Sequence, residues 1–161
     1  MPAKRIEGIV AGASVFAPLV LLSGKHLLTK LHEHLIIILD LTIYEACNTY
    51  WKMCLKLRRI SMETALKATA ATSRIARLCK VYRVSDLDLE EVEKIALDTG
   101  MTFYDSSHLA LARMLKTKIA TEDEDLLKWA PRYGVKAISF DEFVKMLNLE
   151  PSLEGESRKG G

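Results

Sequence analysis

Three acidic side chains, Glu45, Asp105 and Asp123, each stand just beyond a stretch that reads as a strand. Glu45 lies one turn into a helix that follows an apolar run. Asp105 directly follows the extended-looking piece Met101-Thr102-Phe103-Tyr104, and Asp123 follows Lys118-Ile119-Ala120. Carboxylates brought together repel and raise one another's pKa unless a cation sits among them. Hard oxygen donors of this kind suit Mg²⁺ or Mn²⁺. Such ions keep water in their shell and accept phosphate oxygens, which makes phosphodiester hydrolysis the chemistry to expect. Spacing alone leaves a plainer reading open. Asp105 also suits a helix N-cap, and Glu122 to Asp125 suit a first helical turn whose dipole they offset.

The elements that must position these acids alternate along the chain. Ile6 to Ala11 predicts a first strand, followed by a helical stretch that Pro18 and Gly24 interrupt, with Lys25 to His34 as a second helical piece. Leu35-Ile36-Ile37-Ile38-Leu39 is a continuous apolar run, as expected of a strand buried on both faces of a parallel sheet. Asp40-Leu41-Thr42 offers an N-cap for a helix over 43–59, and Ser61 caps another reaching about Lys80. Val81 to Val84 reads as a short strand, and Ser85 to Thr99 as a helix closed by Gly100. A helix over 105–116, the strand 118–120 and a Thr121-capped helix to about Arg132 follow. The last pieces are a strand over 135–138, a helix over 141–147 and a polar tail, 151–161, expected to be disordered. Residues 1–150 thus predict one α/β domain, a three-layer α/β/α sandwich around a central parallel sheet. Ligands of such sheets bind outside the carboxyl ends of the strands, where the acids fall.

With 161 residues, 49% hydrophobic and 27% charged, the chain is no disordered segment. A net charge of +2 does not announce a nucleic-acid partner, yet phosphate answers to local charge rather than to the sum. Lys52, Lys56, Arg58, Arg59, Lys67, Arg74, Arg77 and Lys80 decorate the central helix hairpin, as a substrate wall or as a solvated face. Cys47, Cys54 and Cys79 lack CxxC spacing and read as reduced, mostly buried thiols of a cytoplasmic protein. The apolar stretch from Val15 to Leu22 is too short to span a bilayer, so neither a signal peptide nor an anchor is expected. Glutamine is absent and asparagine occurs only at 48 and 148, a hint of a hot source.

Tyr104-Asp105-Ser106-Ser107-His108-Leu109-Ala110-Leu111-Ala112 resembles the PIN-domain motif in which a Tyr-Asp pair opens an alanine-rich helix. Thr121-Glu122-Asp123 resembles the family's Thr-x-Asp motif, and Asp40 to Asn48 is similar to the segment carrying its Glu. By look the nearest relatives are prokaryotic VapC-type toxins. The resemblance implies a metal-dependent RNA endonuclease in which Glu45, Asp105 and Asp123 hold Mg²⁺ or Mn²⁺, with Asp125 as an extra carboxylate. Ser14, Asn48 and Thr121 match polar positions that orient water or the carboxylates. It also implies a homodimer and a VapB-like antitoxin that covers the acidic site. One departure stands out. Gly12-Ala13-Ser14 occupies the place of an Asp-Ala-Ser motif, so Gly12 replaces the family's first acid. Three readings follow: a catalytic-site substitution, natural or introduced, in an otherwise standard nuclease; a weakened enzyme, with Asp125 or Asp40 compensating; or a degenerate PIN domain that binds RNA or a partner without cutting. A flavodoxin-like domain would share the element pattern, but no Gly-rich phosphate loop supports it.

Of the other features, His32-Glu33-His34 is not an HExxH pair and reads as surface, as does His26. His108 lies one turn after Asp105, to reach a phosphate or to pack beside the site. Trp51 and Tyr50 have the chemistry to stack on bases, with Trp51 as a packing anchor in the alternative, and Trp129 reads as core.

Overall fold

The computed structural model describes residues 8–31 and 35–149. Five strands, β1 (Gly8–Ala11), β2 (Leu35–Leu39), β3 (Lys80–Tyr82), β4 (Lys118–Ala120) and β5 (Ala137–Ile138), form one sheet in the order β3-β2-β1-β4-β5. Every neighbouring pair is parallel, with Val10 opposite Ile37 on one side and Ile119 on the other. The chain builds outward from β1 to β2 and β3, then returns across β1 to add β4 and β5. The switch point lies between β1 and β4, where doubly wound sheets open a crevice at their carboxyl ends.

Among the described residues seven α-helices cover the sheet: α1 (Ala13–Lys30), α2 (Asp40–Leu55), α3 (Met62–Ala76), α4 (Leu89–Thr99), α5 (Phe103–Leu115), α6 (Glu124–Trp129) and α7 (Phe140–Met146). Strand side chains alternate between two cores, as the period of two requires. Ile9, Ile36, Ile38 and Ile138 pack with Phe16 and Leu19 of α1, Tyr50 of α2, Ile75 of α3 and Phe143 of α7. Val10, Ile37, Leu39 and Ile119 pack with Ile95 of α4, Leu109 of α5 and Leu126 of α6. The three-layer sandwich expected from the alternation of elements is therefore present.

Several local expectations are corrected. Pro18 does not interrupt α1, which runs unbroken through Gly24. The missing proline N–H would have met only Ser14, in the first turn, while burial of Val15, Phe16, Leu19 and Val20 holds the helix to the sheet. Of the expected second helical piece, 25–30 continues α1, and His32 to His34 lie outside the described residues. So do residues 1–7, the start of the expected first strand, and the tail from 150 onward.

Asp40 is not an N-cap. It opens α2, and its Oδ1 accepts from Leu41 N at 2.9 Å and Val84 N at 3.2 Å, tying the helix to the turn beyond β3. α2 ends at Leu55, short of Arg59, α3 ends at Ala76, and β3 starts one residue earlier than expected and ends at Tyr82. Residues 84–86 form a 3-10 turn, and α4 starts only at Leu89, where Asp88 accepts from Glu90 N and Glu91 N. Ser61, Gly100 and Gly134 end or begin helices as expected, the two glycines in the left-handed region with φ of 75° and 74°.

Tyr50 is fully buried, so it cannot stack on a base. Its hydroxyl meets that of Thr72 at 2.9 Å and joins α2 to α3. Tyr50→Phe leaves the buried Thr72 hydroxyl unpartnered, so urea unfolding should show a loss of about 1–3 kcal/mol. Trp51 is half exposed, with the Lys56 ammonium 5.7 Å from its ring. Trp129 is only partly buried against the second core, its ring flanked by Lys128 and Arg132. The three cysteines are free and partly buried, and burial pushes the Cys79 thiol up to about 12, which keeps it a thiol.

Candidate active site

At the switch point, a cleft of about 260 Å³ is lined by Gly12, Ala13, Ser14, Glu45, Thr49, Tyr104, Asp105, His108, Thr121, Asp123 and Leu126. The sheet thus gathers Glu45, Asp105, Asp123, Ser14, Thr121 and Gly12 into one place. Asp125 does not line the cleft, though its charge reaches Asp105. Asn48 is exposed on α2 and Asp40 is turned to backbone amides; neither lines the cleft.

Each acid is held by the element that presents it. Met101 to Tyr104 is not a strand. Thr102 caps α5, accepting from Asp105 N at 3.1 Å and donating to Asp105 Oδ2 at 2.8 Å. The Thr102 cap, fastened to Asp105 through both amide and carboxylate, explains why the helix begins before Asp105 rather than at it. Asp123, not Thr121, caps α6, its Oδ1 accepting from Leu126 N at 2.9 Å. Thr121 Oγ1 instead accepts from Asp123 N at 3.0 Å. Ser14 Oγ lies 3.4 Å from Thr121 Oγ1 and accepts from Glu122 N at 3.0 Å, so the start of α1 pins the loop that carries Asp123. Glu122 itself accepts from Phe140 N. Asp123 thus both caps its helix and reaches the cleft, whereas Asp105 is no N-cap: it is the third residue of α5, tied to the Thr102 cap, and reaches the cleft from there.

Burial raises the Asp105 carboxyl above its ordinary range. Thr102 pulls the other way, and the charges of Asp123 and Asp125 push further up. Like charge crowding a half-buried carboxylate is what a cation would relieve. Even so, among the described residues no three His, Cys, Asp or Glu side chains form a group that could hold a metal. Asp105 and Asp123 each keep one oxygen out of these hydrogen bonds. The donors therefore suit a water-rich ion held by one or two carboxylates and substrate phosphate, and not a closed protein cage.

His108 is buried, with 1% of its surface exposed. The Tyr104 carbonyl, 3.0 Å from Nδ1, can only accept, so Nδ1 carries the hydrogen and Nε2 accepts from Thr42 Oγ1 at 3.0 Å. Both nitrogens are committed, so His108 braces α2 against α5 and is no phosphate ligand. Burial lowers its pKa from 6.5 to about 4. The folded state resists a proton that the unfolded chain takes, so this stability is present above pH 6.5 and lost as pH falls toward 4. Lowering the pH from 7 to 5 should cost about 2 kcal/mol through this group. In urea titrations of His108→Gln that part of the slope should vanish.

A larger cavity, about 400 Å³, opens at the other end of the sheet among Arg113, Lys116, Lys118 and Lys136. Among the described residues its lining holds no carboxylate, in contrast to the smaller cleft. The basic residues of the α2–α3 hairpin are all exposed, with Lys67 paired to Glu63 at 2.6 Å. Sequence reading missed Thr42, Thr49 and Thr102. The Thr-x-x-Asp spacing signals the last of these, whereas nothing local signals the other two.

Fold and site together define a class: a doubly wound parallel α/β domain that gathers acids at the switch point of its sheet. No protein-family model matches the chain. Exonuclease VapC9 of Pyrobaculum aerophilum is 34% identical over 97 residues, which cover 60% of this chain and 68% of that protein. The crystal structure of PAE2754 from Pyrobaculum aerophilum superposes with a TM-score of 0.67 at 29% identity, over 90% of this chain and 91% of that one. The PilT N-terminus domain protein SSO1118 of Sulfolobus solfataricus shares the fold, with a TM-score of 0.50 at 18% identity over 95% and 99% of the two chains. The chain belongs to the PIN-domain family, of the VapC type.

Proposed function

We propose that this chain is a ribonuclease of PIN/VapC type, dependent on Mg²⁺ or Mn²⁺, that hydrolyses RNA phosphodiester bonds internally and is weakened by Gly12. The observation that carries this reading is the meeting of Glu45, Asp105 and Asp123 in one cleft at the switch point. When bound, the ion supplies an acidified water and offsets charge on the phosphate. Thr102 and the α6 amides orient the two aspartates, Ser14 and Thr121 hold the Asp123 loop, and Asp125 adds negative charge. Asn48, three residues after Glu45, is the remaining polar position of the motif set.

We read residues 1–150 as one catalytic domain and 151–161 as a tail. The natural setting of such a protein is the cytoplasm, as a homodimer restrained by a VapB-like antitoxin. Exposed Leu55, Met62 and Leu66 on α2 and α3 are apolar surface suited to such a contact. Among the described residues no helix is long and apolar enough to cross a membrane. A second reading, a degenerate PIN domain that binds RNA or a protein without cutting, is favoured by Gly12 and by the lack of a three-donor group among the described residues.

The test is RNA cleavage with Mn²⁺ or Mg²⁺ on substrates labelled at either end, together with a circular RNA. Slow, metal-dependent cutting of the circle supports the endonuclease. Cutting confined to ends assigns the direction carried in the name of the Pyrobaculum relative, and no cutting in any metal, with RNA still bound, supports the binding module.

A further inference from the structure

We propose that the Tyr104 hydroxyl is a ligand-facing donor of the cleft, left unpartnered in the free protein to take a phosphate oxygen of bound RNA. The inference rests on the nuclease reading above. It starts from an orphan: Tyr104 Oη is buried and, among the described residues, has no hydrogen-bond partner. Buried polar groups nearly always find one, so an unpaired donor in a cleft calls for an explanation.

The neighbouring groups do not supply the partner. The Thr42 hydroxyl is near enough to ease ionisation of the phenol, but it gives its hydrogen to His108 Nε2, and Tyr104 Oη has no partner at hydrogen-bond distance and angle. The Thr102 hydroxyl donates to Asp105. Rotation toward another partner is opposed by the ring's edge-to-face packing on His108, with centroids 4.7 Å apart and planes at 66°. His108 is in turn locked between Thr42 and the Tyr104 carbonyl. The hydroxyl is therefore held where it is by its own helix.

The composition of the cleft says what it is held for. No lysine or arginine is among the residues lining it, whereas three carboxylates are. A phosphate entering there meets repulsion and needs neutral donors. The hydroxyls of Thr49, Ser14 and Thr121 already have protein partners, as do both nitrogens of His108. Tyr104 Oη, among the described residues, is a lining hydroxyl with none. A phenol is protonated at neutral pH, so its hydroxyl is a donor to an anion.

The test is Tyr104→Phe, which keeps the ring against His108 and removes only the hydroxyl. Two quantities are read: the melting temperature of the free protein, and the affinity for a fluorescent single-stranded RNA ten-mer in Ca²⁺. The expected result is a melting temperature unchanged or raised, with binding weaker by about 10-fold. A fall of several degrees would mean that the hydroxyl serves the fold, and overturns the proposal. So does unchanged affinity when the parent chain binds. If neither the parent chain nor its Gly12→Asp version binds the RNA, the nuclease reading itself fails and takes the proposal with it.

Discussion

Replacing Gly12 with aspartate should raise metal-dependent RNA cleavage by about 100-fold or more, since losing even an outer partner of a metal ligand typically changes activity by 10- to 100-fold. Gly12 closes β1 and begins α1, its carbonyl accepting from Val15 N at 3.1 Å and Phe16 N at 3.0 Å. It lines the acidic cleft. The atoms nearest to a Cβ built there are Ala120 O at 3.6 Å, Ser14 Oγ at 3.9 Å and Thr121 Oγ1 at 3.9 Å, all ordinary contacts. The backbone at Gly12 is not in the left-handed region, so a side chain causes no strain. Aspartate is also a slightly better N-cap than glycine, by a few tenths of a kcal/mol. The new carboxylate therefore enters a prepared space, and the melting temperature should hold. Mn²⁺ titration by calorimetry should show tighter binding in step with the rate. Full-rate, metal-dependent cleavage by the unsubstituted chain would sink the view that position 12 is the missing ligand.

Adding Asp105→Asn to the Gly12→Asp protein should remove that cleavage, again by about 100-fold or more, while leaving stability equal or slightly higher. The shape is kept. Thr102 still accepts from the residue 105 amide, and its hydroxyl can still donate to the asparagine carbonyl. What goes is a charge that burial, and then Asp123 and Asp125, make unfavourable against the pull of Thr102. The sign follows from the raised pKa. The folded state prefers the protonated acid, so the ionised form costs stability above that pKa, and the cost fades as pH falls through it. Asparagine removes the cost at every pH. Activity lost together with stability would instead mark Asp105 as a support of the Thr102 cap. The two measurements, rate and melting temperature on the same samples, separate these outcomes.

Much of the framework is legible in the order of residues alone. The run Leu35 to Leu39 announces a strand buried on both faces, and its residues do alternate between the two cores. Ser61, Gly100 and Gly134 mark helix ends by backbone requirements that are local. Where local reading fails, a tertiary term overrules it. Pro18 argues for a break, but the apolar face around it is buried against the sheet. Tyr104 and Phe103 argue for extended chain, but the Thr102 cap and the burial of His108 and Leu109 turn the segment into helix.

The sequence by itself determined the alternation of strand and helix, hence a parallel sheet with two covered faces, and the presence of acids just after its strands. Periodicity and capping depend on residues a few positions apart, and a single chain displays them openly. Only the tertiary structure decided that β4 lies beside β1, so that Ser14 meets Thr121 across 107 residues and Asp123 joins Glu45 and Asp105. It also decided that Asp40 turns away to backbone amides, that His108 is a brace, and that Tyr104 is left with a free hydroxyl. Those outcomes rest on strand order and on which polar groups find partners once water is excluded. No local pattern encodes either, because both are settled by competition among distant segments for the same buried space.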